Sequence, residues 1–121
     1  FLKELKKGDC FNLMGVPREA NEKFETYFLN WNLRRIEKGA KMRIIYNRES
    51  KEFGKIRARM KLTEVRYIKP ELETPSWIVI FNEYVVTINV HGEPVCFLIK
   101  NKESAESYKK YFEYIWKESR K

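Results

Sequence analysis

Apolar and polar positions divide the chain into segments of two kinds, extended and helical. Residues 9–16 (DCFNLMGV) and 41–46 (KMRIIY) read as strands, and each is followed by a stretch with helical spacing. In the first such stretch, residues 17–38, Phe24, Tyr27, Phe28, Trp31 and Ile36 mark an apolar face, and Arg34, Arg35, Glu37 and Lys38 a solvated end. Pro17 suits the first helical position, and Gly39 closes the helix. The second stretch, residues 51–62, has a narrow stripe of Phe53, Ile56 and Met60 and is capped by Asn47 or Ser50, with Gly54 as an internal weak point. Residues 63–69 (TEVRYIK) alternate, with Val65, Tyr67 and Lys69 opposite Glu64, Arg66 and Ile68, as in a half-buried or edge strand.

The last third is the most strongly patterned. Residues 77–81 (WIVIF) and 95–99 (VCFLI) are wholly apolar and predict strands buried on both faces, with 77–81 central in the sheet. Between them 84–90 alternates, with Val86 and Ile88 opposite Thr87 and Asn89. The breaks at Asn82-Glu83 and Gly92-Glu93-Pro94 make this an antiparallel meander. Asn101 caps a final helix whose buried face is Ala105, Tyr108, Phe112, Ile115 and Trp116. The order is β-α-β-α-β-β-β-β-α, a mixed α/β sheet with helices packed on it. Residues 1–7 (FLKELKK) read as the tail of a helix stopped by Gly8. The chain opens on Phe1, not Met, which points to a piece of a longer protein.

Composition narrows the function classes. At 121 residues the chain is one domain, with no apolar run near the ~20 residues of a membrane span. Its formal charge of +8 favours anionic partners. Asp9 is the sole Asp and Gln is absent, a Lys/Glu-rich composition of the kind found in hyperthermophile proteins, where a basic surface is also background. Cys10 and Cys96 have no metal-ligand spacing. They read as two buried thiols, with a disulfide between neighbouring strands as the alternative.

Catalytic chemistry finds few residues. His91 is the one histidine, Glu71 and Glu73 lie in a solvated loop, and no phosphate-binding glycine loop or cofactor motif is present. The cations Lys55, Arg57, Arg59 and Lys61 form the best nucleic-acid candidate, against the plainer reading of a solvated helix face. Trp77 is either a lid on the core, its indole N–H reaching a carbonyl, or the wall of a ligand pocket at a strand end. Polarity at strand positions nominates Arg43, Tyr46, Arg66, Trp77, Asn89 and His91 as ligand-binding residues.

Three stretches carry a family resemblance: Arg34-Arg35 and Gly39 leading into 42–46, the Arg66-Tyr67 strand with its Pro-rich loop, and the asparagine-capped helix ending Tyr111-Phe112 to Trp116. Together they resemble the effector domain of the TrmB-type archaeal transcriptional regulators, which looks like one half of a phospholipase D fold. Set against that fold's His-x-Lys-x-x-x-x-Asp motif, the chain has Pro75, Trp77 and Asn82. None can attack phosphorus or balance a phosphate charge. The resemblance thus implies a cytoplasmic, non-catalytic sensor: residues 9–121 as effector and dimerisation domain, residues 1–8 as the end of a linking helix. It also implies a DNA-binding domain upstream, a homodimer, a small-molecule effector and no cofactor. A further C-terminal β-domain that helps form the sugar site in some members is not in this chain.

Overall fold

The computed structural model describes residues 4–73, 76–90 and 92–121. Its elements follow the predicted order: β1 (Cys10–Val16), α1 (Arg18–Glu37), β2 (Lys41–Tyr46), α2 (Lys51–Ala58), β3 (Thr63–Tyr67), β4 (Trp77–Phe81), β5 (Tyr84–Asn89), β6 (Val95–Lys100) and α3 (Lys102–Glu118). The strands form one six-stranded mixed sheet in the order β3-β2-β1-β4-β5-β6. β3, β2 and β1 are parallel, and β4, β5 and β6 continue antiparallel as the meander. The two crossovers β1-α1-β2 and β2-α2-β3 run the same way, so both helices lie on one face, as right-handed connections require. Phe11, Met42, Ile44, Tyr46 and Phe81 meet Ala20, Phe28, Trp31 and Phe53 there. α3 returns across the other face, where Phe112 and Trp116 pack on Met14, Ile45 and Ile80.

Local chemistry explains the boundaries. Asn101 caps α3, its Oδ1 accepting from Ser104 N at 2.9 Å. Ala105, Phe112 and Trp116 are buried, with Tyr108 and Ile115 partly so, as the spacing predicts. Gly39 has φ +78°, and its N–H bonds Ile36 O at 2.9 Å to end α1. Gly54 lies so close to Tyr67 that a Cβ would stand 2.3 Å from the phenol oxygen; the predicted weak point is a packing requirement.

Several expectations are overturned. Pro17 is the N-cap of α1, with extended backbone, not its first helical residue. Leu5 to Gly8 are not helical: Leu5 enters the core, and Lys7-Gly8 form a turn. Residues 1–3 lie outside the described residues. α2 stops at Ala58, short of 62, and neither Asn47 nor Ser50 makes a side-chain cap bond. Ile56 is exposed, and α2 buries Gly54 and Arg57 instead. On α1, Phe24 and Tyr27 are exposed, because the helix breaks at Phe24 (φ −120°, ψ 20°) and its phase shifts. β6 is exposed throughout because it is the sheet edge, whereas the apolar run alone predicts burial. Cys96 is therefore exposed, and both thiols are free. They stand three strands apart, at least about 14 Å at ordinary strand spacing and beyond disulfide reach.

The largest reversal is Arg35. It is fully buried (0% exposed), and no carboxylate meets it among its described partners. Its guanidinium donates to Asn32 Oδ1 (3.0 Å), Ala40 O (2.8 Å), Leu62 O (3.0 Å) and Thr63 Oγ1 (2.6 Å). Burial pulls its pKa down to about 10, leaving it protonated at neutral pH. It ties the end of α1 to the starts of β2 and β3. Arg35→Ala should therefore destabilise the fold by about 3 kcal/mol or more, since it removes the buried guanidinium that joins three segments and leaves Asn32 Oδ1 and Ala40 O without their donor. Exposed Arg34→Ala should change stability by less than about 0.5 kcal/mol. Urea unfolding midpoints for the two variants check the contrast.

Candidate functional site: a cleft between the first helix and the sheet

A cleft lies between α1 and the sheet. Its outer part, about 270 Å³, has an apolar floor of Val79, Val86 and Ile88 and walls of Tyr27, Trp31 and Trp77. It continues into an inner chamber of about 50 Å³, with Leu13, Phe28, Trp31 and Trp77 shared between the two. The inner chamber is more polar, reaching Asn21, Asn32, Tyr46 and Arg57. It sits at the carboxyl ends of β1 and β2, where the chain order reverses from β3-β2-β1 to β4, the usual place for ligands in open α/β sheets.

Two devices build the inner end. β1 has a register shift between Met14 and Val16, and Gly15 sits in it with φ +77°. A Cβ there would lie 2.1 Å from Ser76 O, so the absent side chain lets β1 approach the segment that delivers Trp77. Below, Arg57 is buried and pairs with Glu25 through both carboxylate oxygens, at 2.9 and 2.6 Å. Burial is the largest single influence and opposes the Arg57 charge, but the Glu25 hydrogen bond and the charge interactions with Tyr46 and Glu25 together outweigh it, so its pKa is raised. Tyr46 is pushed well above the ordinary phenol value by burial, so it offers a neutral O–H.

The chamber holds unmet hydrogen-bonding capacity. Asn21 is almost completely buried; its Nδ2 donates to Pro17 O at 3.1 Å, but its Oδ1 has no partner. Trp77 Nε1 is also buried and unpartnered, in place of the carbonyl bond expected of a lid. Orphaned buried polar atoms are uncommon and costly, which makes an acceptor and a donor on two residues that line one cavity informative. Among the described lining residues there is no His, Cys, Ser, Lys or carboxylate. A broader hollow of about 640 Å³ near the β4–β5 turn is lined largely by charged side chains such as Lys6, Glu83 and Lys100, and none of its described lining atoms is orphaned. The smaller cleft is the better candidate because it combines enclosure, apolar area and unmet polar groups.

The nominated residues divide between the two faces of the sheet. Tyr46 and Trp77 meet at the cleft. Arg43 and Arg66 lie on the opposite face and latch α3. Arg43 Nε donates to Asn12 Oδ1 at 3.1 Å, and its guanidinium pairs with Glu113 and lies 5.1 and 5.2 Å from the Phe112 and Trp116 rings. Arg66 donates to Trp116 O at 2.7 Å and lies 4.4 Å over the Trp116 ring. Asn89 ends β5 on that same α3 face, away from the cleft. His91 and Pro75 lie outside the described residues. Asn82 sits in the β4–β5 turn with φ +50°, a conformation asparagine tolerates. Of the four nucleic-acid candidates, Arg57 points inward from α2, while Lys55, Arg59 and Lys61 are exposed, and of these three only Lys55 lies within α2. Asn21, Phe28 and Trp31 line the cleft without a signal for it in the sequence: Phe28 and Trp31 read simply as core, and Asn21 carries no pattern that marks a site.

No protein-family model matches the chain, and no curated protein is significantly similar to it. Among the described residues no cluster of His, Cys, Asp or Glu could hold a metal, and no helix is long and apolar enough to cross a membrane.

Gly15→Ala should cost at least about 2 kcal/mol through its positive φ and the Ser76 clash, and should change the near-ultraviolet signal of Trp77; an unchanged spectrum and melting curve would refute this role. The hydrogen bond from Arg43, then its charge, holds the Glu113 carboxyl below its ordinary value. A depressed folded pKa gives stability that is present above the unfolded value and is lost as pH falls through the folded one. Glu113→Gln should flatten that acid limb in a pH series of melting temperatures.

Proposed function

We propose that this domain is the non-catalytic ligand-sensing and dimerisation module of a transcriptional regulator of the TrmB type, derived from a phospholipase D-like half-fold. The observation that carries the sensing role is the pair of orphaned polar atoms, Asn21 Oδ1 and Trp77 Nε1, at the inner end of an apolar cleft. A ligand that supplies an acceptor to the indole and a donor to the amide would make hydrogen bonds that no described protein group makes. Its chemistry is an apolar body with a small neutral head, such as a hydroxyl or an amide. The parallel-then-antiparallel sheet with helices on both faces supports the phospholipase D-like origin. The absence of a nucleophile or general base among the described lining residues supports binding without turnover. DNA contact falls to a separate upstream domain in this reading. Direct binding through Lys55, Arg57, Arg59 and Lys61 is the weaker alternative, since Arg57 is committed to Glu25.

Benzyl alcohol, benzamide and benzoate share a ring and differ in the head. Titrated against the protein by NMR, the first two should shift the Trp77 indole N–H resonance more than benzoate, which has no donor for Asn21. Asn21→Leu should abolish that shift and stabilise the unliganded protein by about 1 kcal/mol, because it removes an unsatisfied buried carbonyl. Equal binding by Asn21→Leu, or no probe moving the Trp77 signal, would overturn the sensing role.

A further inference from the structure

β6 is an unusual edge strand. The other edge, β3, alternates polar and apolar, and at its end the Tyr67 backbone pairs with Arg120 through bonds of 2.5 and 2.9 Å. β6 has no such closure, and nothing pairs with its outer side among the described residues. The usual guards against edge-to-edge pairing stand only at its ends, Pro94 before it and Lys100 at its last position: between Val95 and Ile99 there is no charge and no proline, and its register with β5 is unbroken. Apolar side chains are exposed on both faces, with Phe97 at 64% and Leu98 at 59%. A strand with these properties invites another strand.

We propose that β6 pairs antiparallel with β6 of a second copy about a two-fold axis at Phe97, joining the two sheets into one. This specifies the surface of the dimer proposed above and rests on that part of the reading; ligand binding does not depend on it. The occupant follows from the strand's self-complementarity. Strand alternation is the same in both copies, so a symmetric pair must set even positions against even and odd against odd. Centring on Phe97 then opposes Val95 to Ile99, Cys96 to Leu98 and Phe97 to itself, so each apolar residue meets an apolar one. Centring one residue later sets Cys96 against Lys100 of the other copy. Charge does not oppose it: in the Phe97-centred register Lys100 comes opposite Pro94 of the second copy, and Glu93, just before β6, opposite Asn101, so like charges do not meet. A parallel pairing in register would stack Lys100 on Lys100 and Glu93 on Glu93, like charges in direct opposition. The isologous antiparallel arrangement is also the closed one, burying both edges with none left to propagate. On the cleft side Leu98 is the cross-strand neighbour of Val86, which floors the cleft, so the dimer contact and the ligand site share one sheet face.

Sedimentation equilibrium on the full chain, over a concentration series, should give a species of twice the 14.7 kDa chain mass. Phe97→Lys should raise the dissociation constant at least about tenfold, the scale of losing a central interface anchor. Phe97 is already exposed, so the variant should keep the wild-type circular dichroism spectrum. In a Cys96→Ser background, Phe97→Cys should cross-link two chains under mild oxidation, while Leu98→Cys, which faces position 96, should not. A wild-type chain that stays monomeric throughout overturns both this inference and the dimer. A dimer untouched by Phe97→Lys, or cross-linking through position 98 in preference to 97, overturns the interface and leaves the dimer standing.

Discussion

A buried guanidinium without a carboxylate partner underlies this fold. Arg35 is kept charged in the interior by Asn32, two backbone carbonyls and Thr63, drawn from three separate segments. Without it Asn32 Oδ1 and Ala40 O would lose the donor that meets them in the interior. Satisfying them with one side chain fixes where α1 ends and where β2 and β3 begin. Arg57 acts in a comparable way from α2, reaching across to Glu25 on α1. These two arginines set α1 and α2 over the parallel half of the sheet, and that placement leaves the other half open.

The open half gives the molecule its asymmetry. One face of the sheet is covered by α3, latched by Arg43, Arg66 and the Lys69–Glu118 pair. The opposite face is covered only as far as α1 reaches. Beyond it Val79, Val86 and Ile88 floor a trough, and still further out β6 is bare. Cleft and edge are thus two results of one geometric fact, a sheet wider than the helices on one of its sides.

The cleft's interior keeps a cost that a purely structural core would shed. An aliphatic residue in place of Asn21 would leave no orphaned carbonyl, and the sequence retains the amide. Buried polar groups held without partners are where a ligand gains most, because binding restores bonds that folding left unmade. The same logic separates Trp77 from the other tryptophans. Trp116 serves as a platform for arginines, and Trp31 as a wall, while Trp77 lines the chamber and carries a buried N–H without a partner.

Order and type of the elements were legible in the sequence, because strand alternation, helical spacing and turn residues are local. The meander, the Asn101 cap and the buried face of α3 followed from neighbours a few positions apart. The same pattern named Tyr46 and Trp77 as site candidates. Only the tertiary structure decided what each face meets. Two apolar runs, 77–81 and 95–99, look alike, yet one lies inside the sheet and the other at its edge, because strand order is set by long-range pairing. Arg35 and Arg57 looked solvated from their helical positions, and distant carbonyls, Thr63 and Glu25 drew them inward. Arg43 and Arg66 read as ligand-binding residues by polarity alone, and Glu113 and the Trp116 carbonyl claim them. Asn21 became informative only once Trp77, from another part of the chain, was brought to the same cavity.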